Sequence, residues 1–172
     1  TLFSRLPSDL PASIVVAQHM PERFTRTFAE RLERLGGVRV AELEDREPLR
    51  AGRAVVCPGG RCLELSAKGS APWVRVVLPG PEDRYVPSGD RLFESAAAVF
   101  GIRTVGIILT GMGDDGTKGA RAIKAAGGIV LAESEESAAI YGMPGSAVRA
   151  GVVDHSLSIP LLADHMVRLA MG

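Results

Sequence analysis

Residues 104–116 read TVGIILTGMGDDG, an apolar run that ends in a turn of glycines and aspartates. The β-branched residues of positions 104–110 predict a buried strand. The three glycines that follow permit a sharp turn. A helix is predicted at residues 117–126, and Gly127 and Gly128 end it. This strand–turn–helix unit indicates an α/β fold.

A second unit of the same kind lies near the start of the chain. Residues 13–18, SIVVAQ, predict another buried strand. Pro21 suits the first turn of a helix that runs to Leu35, where Gly36 and Gly37 stop it. Apolar residues recur along this helix at three- and four-residue steps, which predicts its buried face. They are Phe24, Phe28, Leu32 and Leu35.

The remaining elements alternate between strand and helix. Further strands are predicted at residues 38–42, 53–57, 129–132 and 152–153, and further helices at 89–100, 144–149 and 159–170. Residues 62–66 and 73–78 alternate with a period of two and predict an antiparallel hairpin. The chain is therefore expected to be a three-layer α/β domain. Its sheet would be mostly parallel, with helices on both faces and the hairpin at one edge.

Composition narrows the class of protein. The 172 residues fit one domain, and 20 Lys plus Arg balance 20 Asp plus Glu. This balance argues against nucleic-acid binding through bulk positive charge. No apolar run reaches the length of a membrane span, and the N-terminus does not have the layout of a signal peptide. We expect a cytoplasmic protein with no membrane insertion, and Cys57 and Cys62 as reduced thiols rather than zinc ligands.

Chemistry is expected where parallel strands end. His19 follows the first strand and can accept a proton near neutral pH. A base of this kind needs a carboxylate to orient it, and Asp114 or Asp115 offers one after the second strand. Backbone N–H groups of the GMGDDG turn, at residues 111–116, could stabilise an oxyanion.

Other interpretations of these residues stay open from the pattern alone. His19 could be structural, and GMGDDG could be a plain turn or a phosphate site at a helix N-terminus. The two aspartates disfavour an anion, and no Gly-Lys-Ser/Thr follows as in a Walker loop. A metal site of His19 with the aspartates would be short of ligands. His155 and His165 are expected at the surface or near helix ends.

Four segments, taken in order along the chain, resemble the chemotaxis protein-glutamate methylesterase family. They are QHMPERFTRTFAERL at 18–32, VPSGDRLFESAA at 86–97, ILTGMGDDGTKGARAIKAAGG at 108–128 and YGMPGSAV at 141–148. The resemblance runs from about Ala12 to the C-terminus. It implies an α/β catalytic domain with a mainly parallel sheet and a Ser-His-Asp triad in that chain order.

Site residues follow from the same resemblance. His19 corresponds to the general base, Asp115 to the third triad member, and Met112 to the residue whose backbone N–H helps to form the oxyanion hole. Asp114 falls at a variable position and receives no role. Gly111, Gly113, Tyr141 and Arg84 are candidate substrate-binding residues. By loop position alone, and not from the resemblance, the candidate rim residues are Arg23, Arg84, Arg91 and Tyr141. No metal or organic cofactor is implied.

The nucleophile is where this chain departs from the family. The family serine lies in a Gly-Ala-Ser-Thr-Gly-Gly turn, and residues 1–11 resemble the end of the helix that follows that turn. The serine is therefore expected before Thr1, and Ser4, Ser8 and Ser13 are not expected to replace it. We therefore expect the chain as written to lack the first strand, the nucleophile turn and a receiver domain, and to be inactive or nearly so.

The implied reaction is hydrolysis of glutamate methyl esters on chemotaxis receptors, with deamidation of glutamines as a related activity. The expected partners are a methyl-accepting receptor and a receiver domain. Two alternatives remain: a non-catalytic module of the same fold that binds receptors or signalling partners, and a nucleotide- or phosphate-binding α/β protein that uses GMGDDG.

Overall fold

The computed structural model describes residues 2–67, 69 and 71–172. The helices are α1 (Glu22–Glu33), α2 (Gly89–Phe100), α3 (Thr117–Ala125), α4 (Met143–Arg149) and α5 (Ile159–Met171). The strands are β1 (Ser13–Val16), β2 (Arg39–Glu42), β3 (Arg46–Pro48), β4 (Arg53–Val56), β5 (Cys62–Ser66), β6 (Trp73–Val77), β7 (Val105–Ile108), β8 (Ile129–Glu133) and β9 (His155–Leu157). None of the described helices combines the length and apolar character needed to cross a bilayer.

The strands form three sheets of three strands each. Two are parallel, in the orders β1-β4-β2 and β7-β8-β9. The third is antiparallel, in the order β3-β6-β5, and contains the predicted hairpin. Its connecting loop includes Lys68 and Ser70, which lie outside the described residues. The predicted α/β class, with parallel strands flanked by helices and an antiparallel hairpin, is confirmed, although the described parallel strands form two sheets and the hairpin belongs to a separate one.

Alternate residues of the central strands face opposite layers, as the two-residue period of a strand requires. Ala54 and Val56 of β4 and Leu131 of β8 join a core cluster that also holds residues of α1 and α5. Val55 packs in a second cluster with α2, and Val130 in a third with residues of α2, α3 and α4. The parallel sheets are thus covered by helices on both faces.

Each parallel sheet has one edge strand beside the site described below. β1 and β7 lie at the ends of their sheets, and within the described residues no strand pairs with the outer edge of either. All four residues of β1 are only half-buried, whereas Val55 and Val56 of the neighbouring β4 are buried. Ile14 and Ile107 nevertheless pack against the same core cluster. The two edges therefore belong to one core without being joined by hydrogen bonds.

One sequence prediction was wrong, and another was right only in part. Residues 152–153 do not form a strand; the final strand is β9, which pairs with β8 through Leu131 and His155. Val152 is instead buried in the cluster beneath α4. At the first helix the helical period was right only in part: Phe28 and Leu32 pack against the core, whereas Phe24 and Leu35 are exposed and Thr25 is fully buried. The Thr25 hydroxyl donates to the carboxylate of Glu42, which satisfies a buried polar group at this position.

Candidate active site

His19 and Asp115 meet at the carboxyl ends of β1 and β7. The imidazole Nε2 lies 2.6 Å from Oδ2 of Asp115, although the two residues are 96 positions apart in the chain. The His19 side chain is 29% exposed, and that of Asp115 only 1%. One group is therefore accessible to a substrate, while the other is enclosed by protein.

The protonation state of Asp115 determines which imidazole nitrogen is a base. Burial acts to raise the pKa of this carboxyl, but hydrogen bonds from His19 and from backbone N–H groups outweigh it, so the pKa lies below its usual value. Asp115 is thus an ionised acceptor near neutral pH, and Nε2 of His19 must donate to it. The lone pair of the neutral ring is then on Nδ1, which has no hydrogen-bond partner among the described residues.

Asp115 is held in place by the first turn of α2. Its Oδ2 accepts from the backbone N–H of Gly89 at 2.7 Å, and its Oδ1 from that of Asp90 at 2.9 Å. These N–H groups have no partner within the helix, and they form the positive end of its dipole. The carboxylate is therefore oriented by backbone groups that are themselves fixed by the helix.

Asp90 makes the corresponding contact with α3. Its Oδ1 accepts from the backbone N–H of Gly119 at 2.7 Å, in the first turn of α3. Burial raises the pKa of Asp90, because the charged form is partly removed from water. The amino terminus of α3 already holds a carboxylate, which argues against a phosphate bound after the GMGDDG turn.

The GMGDDG turn is fixed by the segment that precedes α4. Gly111 donates to the carbonyl of Ile140 at 3.0 Å, and its own carbonyl accepts from Met143 at 2.8 Å. Gly111 also forms an isolated parallel bridge with Tyr141. Met112, next in the turn, is 71% exposed. Its backbone N–H has no acceptor in the described part of the chain.

Both the backbone conformation at position 113 and the nearby Tyr85 require a glycine there. Its φ of +87° lies in the left-handed region. A Cβ atom at this position would lie 2.3 Å from the hydroxyl oxygen of Tyr85. Only glycine allows the turn and the tyrosine to come this close.

Sequence reasoning missed Tyr85. Its ring stacks on His19, with 5.3 Å between ring centroids and 12° between ring planes. Its hydroxyl donates to Oδ1 of Asp114 at 2.9 Å, and Arg84 lies 3.4 Å from Oδ2 of the same carboxylate. Asp114 therefore does not contact His19. The only signal was the position of Tyr85 just before VPSGD, where Ser88 caps α2.

The other candidate rim residues have different surroundings. Arg84 is 73% exposed beside the site. Arg91 is engaged in ion pairs with Glu64 and Asp83, so it is not a free cation. Arg23 lies over the Phe24 ring at 4.7 Å. The Tyr141 ring lies close to the backbone of Gly145 in α4.

A cavity of about 540 Å³ lies on the far side of Asp114 and Asp115, between α2, α3 and the loop before α2. Its lining is strongly charged, but most of these charges are paired, as Lys118 is with Glu94. No group of three or more His, Cys, Asp or Glu side chains among the described residues is arranged to hold a metal ion. Cys57 and Cys62 are free and buried.

Known proteins are similar to this chain in sequence. The model of the CheB methylesterase family matches residues 1–166. The protein-glutamate methylesterase/protein-glutamine glutaminase 3 of Geobacter sulfurreducens is 48% identical over 97% of this chain and 45% of its own length. A corresponding protein of Anaeromyxobacter dehalogenans, numbered 6, is 49% identical over 98% of this chain and 49% of its own length. The chain thus spans about half the length of these relatives.

A solved structure agrees with this result. The crystal structure of the Thermotoga maritima CheB methylesterase catalytic domain superposes with a TM-score of 0.94 at 35% sequence identity, covering 97% of this chain and 88% of that one. The family match extends over nearly all of the sequence, and both the fold and the order of the elements are shared. The chain belongs to the CheB methylesterase family.

Proposed function

We propose that this chain supplies the general base, its orienting carboxylate and an oxyanion donor of a protein-glutamate methylesterase. The observation that supports it most is the hydrogen bond from Nε2 of His19 to Asp115, which leaves Nδ1 as an exposed base without a partner. An imidazole oriented by a buried carboxylate is the arrangement that activates a hydroxyl nucleophile. The names of the relatives support the same reaction class.

The nucleophile in this proposal is a serine outside the 172 residues. The serines before His19 are poorly placed, since Ser13 begins β1 at the opposite end of the strand from the site. Ser88 is buried and caps α2 through the N–H of Arg91. The unpaired edges of β1 and β7 offer backbone donors and acceptors to a further strand whose end would reach His19.

The reaction proceeds in two stages. The serine oxygen attacks the carbonyl carbon of a glutamyl methyl ester while Nδ1 of His19 takes the hydroxyl proton. The N–H of Met112 donates to the oxyanion of the tetrahedral intermediate. Methanol leaves with the proton from His19, and an acyl-enzyme remains. Water, deprotonated by His19, then attacks the acyl-enzyme and releases glutamate and the serine hydroxyl.

The proposed substrate is a glutamyl ester on a methyl-accepting chemotaxis receptor. The exposed side of the site, with Met112 and Arg84 at its rim, suits a side chain presented by another protein. A glutamine amide would follow the same path with ammonia in place of methanol. The second proposed partner is a receiver domain in the part of the relatives that this chain does not cover. Under this proposal the protein acts in the cytoplasm.

The test is methanol release from methylated receptor by the full-length protein, with the present chain measured beside it. We expect turnover in the full-length protein and none in the chain alone. His19→Ala should lower turnover by a factor on the order of 10⁴–10⁶. Undiminished turnover in His19→Ala would reject the assigned base.

A serine-directed fluorophosphonate probe separates this proposal from a non-catalytic binding module. The full-length protein should be labelled on one serine outside residues 1–172, and His19→Ala should slow that labelling. Ile102→Ala, at an exposed position in the turn after α2, is the matched control and should label at the normal rate. A full-length protein that binds receptor but neither labels nor releases methanol would favour the module.

A further inference from the structure

Three separate segments converge on the imidazole of His19. β1 leads to His19 itself, the turn after β7 supplies Asp115, and the loop between β6 and α2 supplies Tyr85. The tyrosine ring lies nearly parallel to the imidazole, with 12° between the planes. It therefore stacks on one face of the base, and Nδ1 has no hydrogen-bond partner among the described residues.

Asp115 cannot determine the ring plane by itself. A single hydrogen bond at Nε2 fixes one atom and one direction, and the ring can still turn about the N–H axis. A planar surface parallel to the imidazole removes that freedom. With both contacts present, Nδ1 has one direction relative to the site, as proton transfer at hydrogen-bond distance requires.

Tyr85 is itself fixed at its hydroxyl end. The hydroxyl donates to Oδ1 of Asp114 at 2.9 Å and accepts from the Asp114 backbone N–H at 3.4 Å. Gly113 leaves the space that the hydroxyl occupies. Arg84 lies over the tyrosine ring at 5.5 Å and contacts the same carboxylate. The two adjacent aspartates thus have different functions: Asp115 orients the imidazole nitrogen, and Asp114 anchors the ring stacked on that imidazole.

We propose that Tyr85 is a positioning residue that fixes the plane of the His19 ring, with Asp114 as the anchor of its hydroxyl. The kinetic consequence of this inference rests on the proposed function, whereas its geometric part does not. Tyr85 makes no bond to substrate in this proposal; it acts through the orientation of His19.

The geometric part is tested by ¹⁵N NMR of the histidine rings in the present chain. We expect one neutral tautomer of His19 in the unsubstituted chain, with the proton on Nε2. Tyr85→Leu should keep the proton on Nε2, because the ring still donates to Asp115, but should broaden the His19 ring signals, because the ring can then turn about that hydrogen bond. Trp73→Leu, which removes a half-exposed aromatic ring on β6, should leave the His19 signals unchanged.

The kinetic part is tested in the full-length protein by methanol release. Tyr85→Leu should lower kcat by a factor on the order of 10², the loss expected when a reacting group is misplaced by about an ångström. KM should stay within about twofold, because the substrate contacts remain. Tyr85→Phe, which keeps the ring and loses the anchor, should restore most of the kcat that Tyr85→Leu loses. Asp114→Ala should resemble Tyr85→Phe.

The outcomes separate the two proposals. His19 signals and kcat that are unchanged in Tyr85→Leu would overturn the positioning role. If Tyr85→Leu does not fold, the role of the Asp114 anchor is tested with Tyr85→Phe and Asp114→Ala. A normal His19 spectrum and a normal kcat in both variants would overturn that role. If the unsubstituted full-length protein releases no methanol, the proposed function fails, while the NMR result still decides whether Tyr85 orients His19.

Discussion

Asp90 and Asp115 each cap the helix on which the other depends. Asp115 lies just before α3, and its carboxylate accepts hydrogen bonds from the first turn of α2. Asp90 lies in α2, and its carboxylate accepts a hydrogen bond from the first turn of α3. Gly89 lies against this pair, where a Cβ would be 3.2 Å from the Asp115 carboxylate. The two helices are thereby joined at the point where the carboxylate of Asp115 lies. A substitution at either aspartate is therefore expected to destabilise both helices.

Asp90→Ala should destabilise the protein by about 1 kcal/mol, because it leaves the Gly119 N–H at the start of α3 without an acceptor. Asp90→Asn keeps an oxygen acceptor and carries no charge. It therefore avoids the cost of burying a carboxylate, which is also the reason that burial raises the pKa of Asp90. Its stability at neutral pH should equal or exceed that of the unsubstituted chain. Urea unfolding measures both. A smaller loss for Ala than for Asn would contradict the cap.

Stability at acidic pH should depend on Asp115. Because its folded-state pKa is below the unfolded value of about 3.9, its stabilisation is complete above that pH and is lost as the pH falls through the folded pKa. Asp115→Asn should therefore be less stable near neutral pH and lose less stability on acidification. Thermal unfolding over a range of pH measures this difference.

Asp154 provides the matched control. Its pKa is also lowered, since the hydrogen bonds from Lys124 and the Val130 N–H outweigh the effect of burial. Asp154→Asn should likewise flatten the acid dependence of stability, but it should leave the ¹⁵N signals of the His19 ring unchanged, whereas Asp115→Asn should change them. An equal change of these signals in both variants would argue against a specific His19–Asp115 pair.

Gly113→Ala should cost about 1–3 kcal/mol from its backbone conformation alone. The added Cβ would also displace the Tyr85 hydroxyl, which increases the loss. Gly36→Ala is the control, because Gly36 has a similar φ of +79° and nothing within 4 Å of its Cβ position. The difference between the two in urea unfolding isolates the contact with Tyr85. Equal losses would show that this contact does not constrain the turn.

Cys57 should be inert in the folded protein. Burial, with a smaller contribution from the neighbouring Cys62, raises the pKa of its thiol to about 12. Iodoacetamide at about pH 8 should therefore leave Cys57 unmodified, since the thiolate is the reactive form. In urea both cysteines should react, as followed by mass spectrometry. Rapid labelling without urea would contradict the buried environment.

The sequence predicted most of what positions the site. The apolar runs of β1 and β7, with Pro21 after the first and the glycine turn after the second, identified both strands, and these two elements determine where His19 and Asp115 lie. Elements without an apolar period could not be found in this way. β3 and β9 are three residues each, with largely polar sequences, and form only by pairing with β6 and β8.

The contacts around the dyad depend on long-range packing and had no local signal. Sequence reasoning selected His19 and Asp115, but it could not tell which imidazole nitrogen faces the carboxylate. Tyr85 lies 66 positions from His19 along the chain and only the folded loop brings the rings together. The backbone groups at Gly89 that bind Asp115 are likewise invisible in a pattern of side chains.

The division into two parallel sheets has a consequence for the newly made protein. The sheet that ends in His19 is encoded before residue 57, and the sheet that ends in Asp115 begins at residue 105. At a synthesis rate of about 5–20 residues per second, Asp115 is synthesised roughly 5–20 s after His19. A nascent chain that has folded only its first sheet has an imidazole with nothing to orient it. Under the proposed function, the pair of His19 and Asp115 is therefore complete only when the second sheet has been translated and docked.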